Sequence, residues 1–219
     1  MKHSIRITIS ALLLSLSVLN LAANVKENYN GGKDAPPVVS PDIIVTVDDK
    51  GQADGGHHFQ KIDDTNFYID DIKYTAKQGD LVVSGYNDAF FKGVAAIITA
   101  LKYQGRTMNV TNIQNESFKN CKVITSCIIG NRVTNIGECA FENCRDLTSV
   151  TIPNSVTTIG KRTFYGCNSL EYVFCHAVNP PALDQAFDHT SATLYVPSQS
   201  YQAYSREYKC FDKIATLPE

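Results

Sequence analysis

Phe141-Glu142-Asn143-Cys144-Arg145-Asp146-Leu147-Thr148-Ser149-Val150-Thr151-Ile152-Pro153-Asn154-Ser155-Val156-Thr157-Thr158-Ile159-Gly160 decides the fold, because the chain says it again on either side. Twenty-three residues earlier stand Phe118, Cys121, Ile124, Cys127 and Ile129; twenty-three later stand Phe164, Cys167, Leu170, Val173 and Cys175. Ile113, Ile136 and Ile159 keep the same step. A fixed period of this length predicts a solenoid. One unit cannot bury its apolar face alone, so successive units stack and share a core.

Within the unit, Leu147-Thr148-Ser149-Val150-Thr151-Ile152 follows the pattern L-x-x-L-x-L, with Asn154 two residues on. Side chains alternate along a strand, so Val150 and Ile152 point inward and Thr151 outward. Pro153 is acceptable where that strand ends. Phe187 opens a fourth unit, and Thr193-Leu194-Tyr195-Val196-Pro197 is its strand, two residues early in phase. Tyr201, Tyr204 and Tyr208 are spaced for a short amphipathic helix that closes the stack.

Phe-x-x-Cys-x-x-Leu-x-x-Val-x-Ile-Pro-Asn-Ser-Val-Thr-x-Ile-Gly, as in Phe141 to Gly160, resembles the leucine-rich repeats of bacterial surface antigens, the BspA-like group. Leu194-Tyr195-Val196-Pro197 followed by Tyr201 and Tyr204 is similar to that family's closing segment. The resemblance covers about 113–219, and more loosely 67–112. It implies a leucine-rich-repeat solenoid of the α/β-horseshoe type, built mostly of short strands and turns. It also implies an exported or surface-displayed binding protein, often linked to adhesion, with no shared catalytic residues.

Outside the repeats the chain divides three ways. Residues 1–23 read as a secretory signal: Lys2, His3 and Arg6, then an apolar run from Ile7 to Leu21, then Ala22-Ala23. That run is shorter than the ~20 residues a membrane-spanning helix needs, so no stable membrane insertion of the mature chain is expected. Residues 24–58 have the Gly, Pro and Asp content of a flexible tether, with one β-prone island at Ile43–Val47. Residues 59–112 read as an N-terminal antiparallel β-strand cap for the 113–219 repeats. Its strands are Phe67–Tyr74 and Leu81–Tyr86 about Gln78-Gly79, and Ile97–Tyr103 and Thr107–Ile113 about Gln104-Gly105. The repeat phase does not extend cleanly into it, since Gln104 and Arg106 would fall at core positions.

The 219 residues are 43% hydrophobic, with a formal charge of −2. Loss of Lys2 and Arg6 with the leader leaves 18 basic against 22 acidic residues. That balance gives no reason to expect a nucleic-acid partner. Seven cysteines cannot all pair within one chain. Cys121, Cys144 and Cys167 share a repeat position and read as packing. Cys127, Cys139, Cys175 and Cys210 are the candidates for a disulfide. No metal and no cofactor is expected. His57-His58 and the Asp48–His58 loop match metal-ligand patterns poorly, since Lys50 stands where an oxygen ligand belongs.

No catalytic constellation emerges. Cys175 and His176 are strand neighbours and so face opposite ways, and Asp188-His189 has no nucleophile to serve. The candidate partner-binding residues are the outward strand columns: Ser126, Ser149 and Tyr172; Ile128, Thr151 and Phe174; and His176 on the third rung. Exposed aromatics there suit a protein or glycan partner. A chain that self-associates as a structural or scaffolding protein of the cell envelope, in a possible homo-oligomer, is the alternative. A hydrolase with a site within 59–112 is the third reading. The expected location is periplasmic, cell-surface or extracellular.

Overall fold

The computed structural model describes residues 42–91 and 93–217; the leader and most of the tether lie outside these residues. In chain order the strands are β1 (Ile44–Val47), β2 (Phe59–Lys61), β3 (Asn66–Ile69), β4 (Ile72–Lys77), β5 (Asp80–Tyr86), β6 (Gly93–Ala96), β7 (Ala100–Tyr103), β8 (Arg106–Ile113), β9 (Ile124–Ile128), β10 (Asn135–Ile136), β11 (Ser149–Ile152), β12 (Thr158–Ile159), β13 (Tyr172–Cys175), β14 (Ala182–Leu183), β15 (Thr190–Val196) and β16 (Phe211–Thr216). The α-helix α1 (Tyr201–Glu207) precedes the last strand.

Each coil contributes one strand to each of two parallel ladders. One sheet runs β6-β9-β11-β13-β15-β16. Its register follows the sequence period: Ser126 pairs Ser149, which pairs Tyr172. At β15 the partner of Tyr172 is Thr193, two residues early in phase, as expected. The other sheet carries β14-β12-β10-β8-β5 in parallel, aligning Ile113, Ile136 and Ile159. The apolar residues of the unit fill the space between.

The phenylalanine of each unit makes the spine of that interior. Phe118, Phe141, Phe164 and Phe187 stack at 5.0, 5.3 and 4.8 Å, with ring planes within 5°, 6° and 15°. Phe118 and Phe141 are wholly buried. Burying each ring contributes about 1.5–3 kcal/mol, and ring–ring packing adds about 0.5–1.5 kcal/mol. Tyr86 lies flat on Phe118 at 5.6 Å, and Phe211 meets Phe187 edge-on at 4.9 Å, so aromatic rings close both ends. The Ile-Gly corner is tight: a Cβ on Gly137 would lie 2.5 Å from the Asn115 backbone nitrogen.

Four expectations are corrected. The stack begins a coil earlier than the period suggests. Val83 pairs with Ile113, and β6 pairs in parallel with β9. The phase is lost because the β7–β8 hairpin is inserted into this first coil. Phe67–Tyr74 is not one strand but the β3–β4 hairpin, turning at Asp70 and Asp71 with φ of 50° and 65°. Part of the 24–58 tether is ordered: β1 pairs in parallel with β7, and Val45 is fully buried. Alternating Val45 and Val47 toward the core is enough to anchor it. Finally, all seven cysteines are free thiols. Cys127 and Cys175 both point inward, but β11 lies between their strands. Two strand spacings, about 9.6 Å, exceed the ~7 Å Cα limit for a disulfide.

The two expected hairpin turns are present. Gln78-Gly79 has φ of 53° and 93°, and Gln104-Gly105 has φ of 48° and 71°. Two positive-φ residues make the tight turn that matches strand twist.

Candidate functional site

The outward columns of the six-stranded sheet are in register but are not uniformly open. Ser126, Ser149, Tyr172 and His176 are half-buried. Ile128, Thr151 and Phe174 are only 5%, 4% and 1% exposed. The open face expected for these three is therefore absent. Each is flanked on both strands: Ile128 by Ala96 and Thr151, Phe174 by Thr151 and Tyr195. Phe174 stacks on Tyr195 at 5.2 Å and on Tyr172 at 6.2 Å, so aromatic faces cover one another. Tyr172, Phe174, His176 and Tyr195 are also engaged beyond these ring pairs.

Cys121, Cys144 and Cys167 form the expected buried column. The Cys144 thiol donates to the Phe118 carbonyl at 3.0 Å, and Cys167 to the Phe141 carbonyl at 3.1 Å. Burial pushes the Cys167 thiol up to about 12 and Cys144 higher still. The thiolate is the nucleophilic form, so such thiols are chemically quiet. Cys175 faces inward against the Tyr204 hydroxyl at 3.2 Å while His176 faces the other way. Tyr204 donates to the Ala177 carbonyl at 2.7 Å and Tyr208 to the Pro181 carbonyl at 2.8 Å, which docks α1 on the end of the stack.

Several histidines and acids have structural partners. Asp188 accepts from the Gly166 amide at 2.8 Å, and His189 Nδ1 meets the Cys210 carbonyl at 3.1 Å. His57 Nδ1 lies 2.5 Å from Asp70, whose other oxygen accepts from the His58 amide. Asp48 accepts from the amides of Lys50 and Gln52. Among the described residues no three His, Cys, Asp or Glu side chains converge as metal ligands.

One charged cluster escaped the sequence reading. Glu142 is 5% exposed, with Lys119 Nζ at 3.1 Å and Arg162 at 2.5 Å. Burial pushes its carboxyl up, but hydrogen bonds from Lys119 and Cys139 and the Arg162 charge outweigh that and hold it below the usual value. Arg162 also lies 4.2 Å over the Tyr165 ring. The signal was available at the repeat period: Lys119, Glu142 and Tyr165 share one column, and Glu116, Cys139 and Arg162 another. Opposite charges one coil apart are neighbours in a stack, although they are distant in sequence.

The stacked coils now have their match. The BspA type leucine-rich repeat region matches residues 88–215 in six copies. The chain belongs to the BspA type leucine-rich repeat family. Six parallel strands, β6, β9, β11, β13, β15 and β16, span the same residues. Its fold is similar to that of a leucine-rich repeat protein from Bacteroides capillosus, with TM-score 0.51 and 16% identity over 71% of this chain and 100% of the other. A leucine-rich cell surface protein from Faecalibacterium prausnitzii aligns with TM-score 0.47 and 20% identity, over 71% of this chain and 43% of its own. A leucine-rich repeat protein from Bacteroides ovatus aligns with TM-score 0.46 and 27% identity, over 69% and 37%. The chain thus spans less than half of each of these last two. Comparison with curated proteins finds no match. Among the described residues no helix is long and apolar enough to cross a membrane.

Proposed function

We propose that this BspA type repeat protein is an exported, non-enzymatic binding protein that holds a protein or glycan partner on its repeat surface, in an adhesive setting. The observation that carries the reading is the rigid in-register stack of coils. It presents repeated side chains at fixed spacing, and Cys144, Cys167 and Asp188 are committed to structural bonds within it. Family membership supports a binding role. Export rests on the leader-like residues 1–23.

The contact centres on the half-buried Ser126, Ser149, Tyr172 and His176, with Ile128, Thr151 and Phe174 as the packed layer that supports them. Three rungs stand roughly 14 Å tall and four residues span about 13 Å. That is on the order of 200 Å², whereas a stable protein interface takes ~800 Å² per partner. The partner therefore extends onto the coil edges or the N-terminal hairpins. The test is capture of partners from cell-envelope and host extracts by residues 24–219, comparing the native chain with Tyr172→Ala. Loss of a specific partner with unchanged unfolding supports the site. Equal capture by both chains would place binding elsewhere.

A further inference from the structure

Tyr103, at the end of β7, packs with Phe59 at 5.3 Å and Phe67 at 5.8 Å. The three rings join the β7–β8 hairpin to the β2–β3–β4 meander. Between the two lies an open cleft of about 740 Å³, with Tyr103 and Phe67 on its wall and Lys61, Asp64, Gln104 and Arg106 around it. Its volume falls in the ~300–1,000 Å³ range of small-ligand sites.

The cleft is built rather than incidental. Its rim is held by the turn before β3, where Asp63 accepts from the amides of Thr65 and Asn66 and from the Asn66 side chain. Led by the Thr65 amide bond, these hold the Asp63 carboxyl down to about 2. The other side is the tight Gln104-Gly105 turn. The Gln104 amide donates to the Tyr103 hydroxyl at 3.2 Å. Lys61 and Asp64 neutralise each other at 2.7 Å, leaving the planar fork of Arg106.

That chemistry selects the ligand. β3, β4 and β7 are paired along both edges, and the residues that line the cleft offer a ring face for an apolar C–H surface and forked donors and acceptors for hydroxyls. We propose that this cleft binds a sugar, with a pyranose ring laid on Tyr103 and its hydroxyls met by Arg106, Gln104 and Asp64. Among the residues that line the cleft, Asp64 is the one carboxylate, and it is 95% exposed and paired with Lys61. A glycosidase needs two carboxylates flanking the bond, so the site binds and does not cut. This rests on the binding reading above and assigns its glycan arm to a place.

Calorimetric titration of residues 24–219 with cellohexaose, chitohexaose and an alginate hexauronate tests it. At least one is bound at millimolar concentration or better. Tyr103→Ala and Arg106→Ala each weaken it by roughly tenfold or more, while Tyr103→Phe, which keeps the ring face, retains it. Arg106 is exposed, so its variant separates lost contact from lost folding. Binding by none of the three sugars, or binding unchanged in both alanine variants, overturns the proposal. If the sugars fail while the native chain still captures a partner that Tyr172→Ala loses, the cleft assignment falls and the binding reading stands.

Discussion

Gly166 and Asn143 hold the same corner of successive coils, and the Asn143 side chain fills the space that a side chain on Gly166 would need. A Cβ there would lie 2.4 Å from the Asn143 Oδ1, at a φ of +72°. Asn143 in turn donates to Asn120 at 3.1 Å, one coil back. Gly166→Ala should destabilise the fold by about 1–2 kcal/mol from left-handed strain alone, and by more from the contact. In an Asn143→Ala background the contact is gone and only the backbone part should remain. Urea unfolding of the four chains measures this; equal losses in both backgrounds would show that the close approach is harmless.

Phe141 and Phe174 test two kinds of burial. Phe141→Ala removes a ring from the middle of the stack and should cost about 3–5 kcal/mol. Phe174 is 1% exposed despite its outward position, so Phe174→Ala should approach the same cost. A loss under ~1 kcal/mol at Phe174 in denaturant titration would mean that the outward column is open after all. Phe174→Ala is therefore a probe of stability, and Tyr172→Ala the probe of binding.

Glu142 gives a pH dependence with a definite sign. Its folded carboxyl sits below the ordinary 4.5, because Lys119, Cys139 and Arg162 together outweigh burial. The unfolded chain therefore takes up this proton first as pH falls. The contribution is fully present above pH 4.5 and is lost progressively below it. The stability gap between the native chain and Glu142→Gln should be constant above pH 5 or so and close in acid. A gap that widens on acidification would reverse the assignment.

The buried thiols should be silent until the protein unfolds. Burial pushes up Cys127, Cys144, Cys167 and Cys175, while Cys210 is only half-buried, though also raised. Labelling with an aromatic disulfide reagent at neutral pH should modify Cys210 first. The column Cys121, Cys144 and Cys167 should react only at the rate of opening. Rapid native labelling of Cys144 would show that the coils separate far more easily than their packing implies.

A period of 23 residues with Phe, Cys, Leu, Val and Ile in step was enough to read a stack of coils with one strand per unit, its inward positions and the buried cysteine column. Burial demands repetition in a stack, and repetition is visible in one dimension. The hairpin turns at Gln78-Gly79 and Gln104-Gly105 were legible for a local reason, since positive φ restricts which residues can stand there. What broke the reading was insertion. The β7–β8 hairpin displaced the phase of the first coil and hid the pairing of Val83 with Ile113.

Sequence by itself thus determined the coil, its register and its inward faces, because each follows from alternation and period within a single unit. Tertiary structure alone decided how much of the outward column stays wet, that β1 joins β7, that Glu142 is clasped from neighbouring coils, and that Phe59, Phe67 and Tyr103 meet beside a cleft. Those outcomes depend on which distant segments lie against one another, and contact between them is set by packing in space rather than by spacing along the chain.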